Sequence, residues 1–359
     1  MTETNKRNLA DLDVVVVGGG VAGLSAALTL TRARRSVLVV DSGEPRNAPA
    51  AGVHGFLSRD GLAPGELLRA GKDEVTGYGG RIVADLVTSA RRTGERFVVD
   101  TEGGESHGAR RLLVTTGLVD ELPDVPGVRE RWGRDVLHCP YCHGWEVRDA
   151  PIGVLATGPG AVHQALLFRQ WSPDVTVFLH TAGELTEEQW EQLAARGIAV
   201  IDGEVVGLDV DDDRLCGVRL ASGTCVPVRA LAVGPRFEAR GEMLSGLGLT
   251  TVEHPLGVGS YVESDASGFT GVAGVWVAGN VTDLMAGVAV AAASGVQAAV
   301  AINADLVAAD TAAALSHHSA AQAQQAFSPA AEAANCERVL GERRHGIGTV
   351  ISPGHRSHD

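Results

Sequence analysis

Two cysteines three positions apart, Cys139 and Cys142, sit in the stretch HCPYCHGWE at residues 138–146, with His143 directly after the second. Such a pair can hold a metal, staple a fold or pass electrons. A structural zinc site needs four ligands, usually two such pairs or one pair with two spaced histidines. Cys216 and Cys225 stand nine apart and Cys336 is alone, so no second pair has matching spacing. A purely structural disulfide is the other alternative. In a reducing cytosol a lone C-x-x-C is more often redox-active or metal-binding than a staple. Thiolate is the reactive form, and a C-x-x-C at a helix start lowers the pKa of one thiol. Two intervening residues let a disulfide close and reopen locally, which makes a two-electron store. The redox reading is preferred and no metal is expected.

The elements that must position this pair lie on both sides of it. DVVVV (13–17) is a short β-branched apolar run and reads as a buried strand. GGGVAG follows, then a helical LSAALTLTRAR and a second strand SVLVVD ending at Asp41. This is a β-α-β unit with Gly18, Gly20 and Gly23 at dinucleotide-fingerprint spacing and an acid about 20 residues on. Gly18 permits the tight turn, Gly20 the approach of a pyrophosphate, and Gly23 close packing of helix on sheet. The diphosphate then meets free N–H groups at the helix N-terminus, and Asp41 accepts from the adenosine ribose. A second unit begins near 151 with PIGVLA, TGPGAVHQALLFRQW and DVTVFLH. The predicted fold class is α/β, with two Rossmann-like, three-layer ββα dinucleotide-binding domains. Residues 1–121 and 238–310 are expected to form a discontinuous FAD domain. Residues 122–237 are expected to form a degenerate NAD(P)-type domain that carries the C-x-x-C, and 311–359 a flexible tail.

The fingerprint serves FAD and NAD alike. LLVTTG (112–117) and VWVAGN (275–280) resemble the two short motifs that complete an FAD site in two-dinucleotide flavoproteins. That resemblance assigns Thr116, Gly117, Gly279 and Asn280 to the cofactor. Asn280 stands where the family usually has Asp, and can both accept and donate. Ala22, Val87 and Val288 complete the predicted lining. A helix after Asp283 is expected to aim its N-terminus at the flavin.

Glycine loop, central C-x-x-C, degenerate second unit and AGN motif together resemble the thioredoxin reductase-like flavoprotein family over about residues 11–308. The resemblance implies that Cys142 faces the isoalloxazine and Cys139 exchanges with the outside sulfur. Thioredoxin reductases typically carry Asp after the second cysteine, where this chain has His143. An imidazole near its ordinary pKa of about 6.5 can accept a thiol proton at neutral pH. CPYCHGWE and RNAPAAGVHGFLSRDG (46–61) resemble the branch of small-molecule dithiol oxidases that form disulfides in natural products. That places Arg46 and Asn47 near FAD; for His54 a cofactor role and a packing role are equal readings.

The second glycine loop is altered. Pro159 removes one N–H and His163 occupies the third glycine position. The resemblance predicts His-Arg-Arg after the next strand, where FLHTAGELTEEQ (178–189) keeps His180 but puts Thr181 and Ala182 in place of the arginines. Bidentate grip on a 2′-phosphate is then missing, so NADPH binding is expected to be lost or poor, with Arg169 the one possible rescue. The expected activity is oxidation of a dithiol to a disulfide through the cysteine pair and FAD, with O2 as acceptor and hydrogen peroxide as product. Alternatives are an NADPH- or other-reductant-dependent thioredoxin reductase acting on a thioredoxin-like protein, and a non-catalytic FAD-binding redox sensor.

Composition sets further limits. The 359 residues carry thirty basic against forty-four acidic side chains, a formal charge of −14. That disfavours nucleic acid or an anionic membrane as the main partner. The N-terminus MTETNKRNLADLD has no secretory apolar core, so a cytoplasmic protein is expected. LMAGVAVAAASGVQAAVAI (284–302) is long enough to cross a bilayer, but its Ala, Gly and Ser content reads better as a buried helix. A homodimer is expected from the family resemblance.

Overall fold

Residues 12–158, 160–326 and 328–340 are described by the computed structural model, without the side chains of 321–326 and 340. The chain divides into two compact units, Met1–Asn303 and Ala304–Asp359. It opens with β1 (Leu12–Val17), α1 (Val21–Arg32), β2 (Val37–Asp41), α2 (Pro64–Gly77), β3 (Arg81–Ala84), β4 (Val87–Thr93), β5 (Arg96–Thr101), β6 (Ser106–Val114) and β7 (Leu118–Glu121). Then come α3 (Val128–Arg131), β8 (Val136–Leu137), α4 (Pro140–His143), β9 (Ile152–Leu155), α5 (Ala161–Phe168), β10 (Val175–Phe178), α6 (Glu187–Ala195) and β11 (Ala199–Ile201). Strands β12 (Val205–Asp211), β13 (Arg214–Leu220), β14 (Cys225–Pro227), β15 (Ala230–Val233), β16 (Arg236–Ala239), β17 (Val252–Glu253), β18 (Gly259–Tyr261) and β19 (Val275–Val277) follow. Helices α7 (Val288–Ala326) and α8 (Pro329–Leu340) end the described chain.

The first sheet runs β3-β2-β1-β6-β5-β4, with β19 also pairing to β6. β1 lies between β2 and β6, parallel to both, with Val14 opposite Val37 and Val17 opposite Val114. Val14, Val15, Val16 and Val39 are all but sealed from solvent. A strand apolar on both faces belongs in the middle of a covered parallel sheet. Each such valine contributes roughly 1.5–3 kcal/mol by leaving water. The second sheet repeats the pattern in the order β11-β10-β9-β15-β8, all parallel. A three-stranded sheet, β12-β13-β14, extends from it in sequence, and a four-stranded sheet, β17-β18-β16-β7, pairs β7 antiparallel to β16. The mixed α/β fold class is as read from sequence.

The C-terminal helix differs from expectation in two ways. It begins at Val288, not near Leu284, because the Asp283 carboxylate accepts from Met285 N and its carbonyl from Ala286 N, which holds 283–286 in a turn. It is also buried on one face only: Ala291, Ala298, Ala299 and Ile302 are inside, whereas Val296 and Val300 are exposed. Val288–Ala320 is long and apolar enough to cross a membrane by length and composition, with a third of its most apolar window buried. Residues 311–320 continue the helix with every side chain exposed. The Arg- and His-rich end beyond 340 lies outside the described residues.

Candidate active site

The glycine loop is shaped by contacts that other residues could not make. Gly18 has φ +103°, and a Cβ there would meet Thr115 O. A Cβ at Gly23 would collide with the Gly18 carbonyl oxygen and with Thr115 Oγ1. That hydroxyl donates to the carbonyls of Val17 at 3.0 Å and Gly18 at 2.9 Å, tying β6 to the end of β1. Beyond Gly20 there is open space. So the loop is tight against the sheet and clear toward the cleft.

Asp41 ends β2 beside this loop. Its Oδ1 accepts from Gly19 N at 3.0 Å and its Oδ2 from Lys72 Nζ at 2.8 Å. Burial works against the charged carboxylate, but the bond from Lys72 and then that from Gly19 hold its pKa below the usual value. Lys72 escaped sequence reasoning; the only signal was one of two lysines in an arginine-rich chain.

A cavity of about 1080 Å³ runs from this loop to the cysteine pair. Gly18, Gly20, Ala22, Asp41, Arg46, Asn47, Val87, Thr116, Gly117, Gly279, Asn280 and Val288 all line it, together with Cys139, Cys142 and His143. Of the predicted site residues only Gly23 does not, since it serves the contact of helix with sheet. Some polar groups are already engaged. Arg46 forms a two-pronged pair with Asp120, at 2.7 and 2.6 Å, and lies over the Phe237 ring. Asn280 Nδ2 donates to Asp283 O and Ala286 O, which leaves its Oδ1 as the free side of the amide. The Thr116 hydroxyl donates to Arg240 O. An open glycine turn at a helix start, an acid at the end of β2 and a long cleft reaching a dithiol fit FAD.

The cysteine pair is held by α4. Cys139 is its N-cap, and its carbonyl accepts from the N–H groups of Cys142 and His143, both at 3.2 Å. Pro140 supplies the fixed φ that suits the first helical position. The two sulfurs are hydrogen-bonded to each other, and this lowers the Cys139 pKa to about 7, with backbone N–H groups of Cys142 and Tyr141 and then the Arg46 charge adding to the effect. The same bond, with burial, pushes the Cys142 thiol up. A thiol with a lowered pKa is present more often as the reactive thiolate. His143 has both ring nitrogens buried and without a hydrogen-bond partner among the described residues, and burial holds its pKa below the usual value. Burial therefore favours its neutral form.

A model of the family described as pyridine nucleotide-disulphide oxidoreductase matches residues 12–297. The chain belongs to that family. Among the relatives of this oxidoreductase is the thioredoxin reductase sirT of Leptosphaeria maculans, 31% identical over 318 residues, 84% of this chain and 96% of that protein. The thioredoxin reductase tcpT of Claviceps purpurea is 34% identical over 222 residues, 56% of this chain and 69% of its own length. The crystal structure of HlmI superposes with a TM-score of 0.82 at 50% identity, covering 87% of this chain and 97% of that one. Thioredoxin reductase-like members of the family bind FAD, in agreement with the cleft.

The second unit of this oxidoreductase is differently equipped. His163, at the third glycine position, is exposed rather than packed on the strand; Val162, Ala165 and Phe168 face the core instead. Pro159 lies outside the described residues. Arg169, the possible rescue for a nucleotide phosphate, donates to the carbonyls of Arg196 at 2.9 Å and Ser172 at 3.4 Å. His180 sits at φ +48° and its Nδ1 accepts from Val205 N at 3.0 Å, a packing role. Of the remaining cysteines, Cys225 and Cys336 are exposed.

Proposed function

We propose that this oxidoreductase converts a small-molecule dithiol to a disulfide with O2 as the final acceptor and hydrogen peroxide as product. The observation that carries the reading is the dithiol itself: a low-pKa Cys139 paired with Cys142 on the wall of the flavin cleft, beside an unpartnered histidine. In the oxidised enzyme a substrate thiolate attacks Cys139 Sγ, breaks the Cys139–Cys142 bond and releases Cys142 as thiolate. The second substrate thiol loses its proton to His143 and attacks the mixed disulfide. The substrate leaves oxidised and the enzyme pair is left reduced. Bound FAD would supply the two-electron sink for the reduced pair, with O2 as the final acceptor.

In the cavity wall, Tyr141 is 72% exposed and Met285 61%, apolar groups suited to a small molecule. Loss of the arginines after β10, with Arg169 tied to backbone, argues against NADPH as reductant. A homodimer belongs to the same reading, supported by the exposed Val296 and Val300 on α7. The second reading is an NADPH-dependent thioredoxin reductase, favoured by the names of the fungal relatives. Anaerobic titration separates the two. Dithiothreitol is expected to bleach the flavin while stoichiometric NADPH leaves it yellow. Prompt bleaching by NADPH would establish the second reading instead. Peroxide formation from a dithiol, lost in Cys139→Ser, excludes a non-catalytic sensor.

A further inference from the structure

Oxidising a substrate dithiol through the Cys139–Cys142 pair strips two electrons and two protons from its sulfurs. Bound FAD would take the electron pair and one proton, which leaves a second proton to reach solvent. His143 can take it, but its buried nitrogens have no protein partner to pass it to directly. A second cavity, of about 480 Å³, touches the same imidazole. His54, Glu146 and Arg134 line it beside apolar Pro49, Leu137 and Val147. His54 Nε2 lies 3.5 Å from Glu146 Oε1, and its Nδ1 lies 3.5 Å from Asp60 Oδ2. Both carboxylates are open to solvent.

We infer that this second cavity is a proton exit, in which water links His143 to Glu146 and His54, and His54 to Asp60 at the surface. The inference rests on the proposed function, in which His143 takes the proton of the second substrate thiol. A cavity holds water when it has two or more polar partners and room beyond the roughly 30 Å³ that one molecule takes. This one has two imidazoles, a carboxylate and a guanidinium, and many times that volume. The charges facing His143 set the direction. Burial disfavours its protonated form most strongly, Glu146 favours it and His54 opposes it. The charged imidazole is therefore disfavoured where it stands, and Glu146 is the carboxylate whose charge favours it. His54 lies between the two carboxylates, within reach of both. Arg134 is held by Asp213 and takes no part in transfer. Glu146 and His54 are positioning and relay residues, since neither touches the sulfurs.

The test is rapid anaerobic mixing of the FAD-loaded enzyme with dithiothreitol in weak buffer, following flavin bleaching and an indicator dye together. Proton release is expected to keep pace with bleaching in the unaltered enzyme. Glu146→Gln should slow release about tenfold near pH 7 and shift the pH profile of bleaching, with Glu146→Asp retaining the native rate. Added imidazole, a mobile proton carrier, should restore Glu146→Gln; a purely structural defect does not respond to it. Asp60→Asn should show a smaller, equally rescuable lag, and it stands in if Glu146→Gln loses flavin. Variants that release protons at the native rate, or that ignore imidazole, overturn the relay alone. An unaltered enzyme that dithiothreitol fails to bleach overturns the disulfide chemistry and the relay with it.

Discussion

The two nucleotide-type units share strand, helix and strand but differ in what faces the cleft. In the first, Gly18 and Gly23 press the loop onto Thr115, and Asp41 closes β2 with Gly19 and Lys72 in its grip. In the second, the chain after β10 carries no arginine before residue 196, His180 is spent on Val205 N, and His163 looks outward. Gly158, Gly160 and His163 are absent from the lining of the large cavity. The two units share a Rossmann scaffold and differ in the side chains set on it, because strand burial and groove chemistry are set by different residues.

The sharpest break between the two regions is chemical. The second unit follows directly on the helix that carries the cysteine pair, and Cys139→Ser or Cys142→Ser should cut dithiol turnover on the order of a thousandfold or more, with flavin still bound. Peroxide release measures it. Next come the glycines. Gly23→Ala puts a methyl against the Gly18 carbonyl, which should cost about 1–3 kcal/mol and leave the purified protein largely colourless. Gly160→Ala, with nothing within 4 Å of the new methyl, should keep both colour and melting temperature. Equal effects at the two loops would erase the contrast. Smaller is the effect at the strand ends. Asp41→Asn should weaken FAD binding roughly 10- to 150-fold, since a charge-assisted bond is worth roughly 1.5–3 kcal/mol. His180→Ala should cost stability alone, read by denaturant titration. Smallest is the tuning of the thiol. Alkylation of the reduced enzyme at Cys139 should rise with pH around a midpoint of about 7, because only the thiolate reacts. Arg46→Ala removes a nearby positive charge, raises that midpoint and slows alkylation at pH 7 roughly twofold.

What could be read from the chain alone was whatever chemistry is written in consecutive residues. The fold class follows from valine runs and glycine spacing, since backbone sterics and strand burial act within a few positions. The redox pair, with His143 beside it, is visible because a disulfide closes across two intervening residues. The loss of arginines after β10 is visible for the same reason. Tertiary structure alone decided the rest. Lys72 reaches Asp41 across 31 positions, Arg46 reaches Asp120 across 74, and His54 meets Glu146 from another loop. It also decided which thiol is the acidic one and that α7 buries only one face. Charge partners and burial depend on distances through space, and no local spacing rule encodes a distance between segments that meet only when the chain has folded.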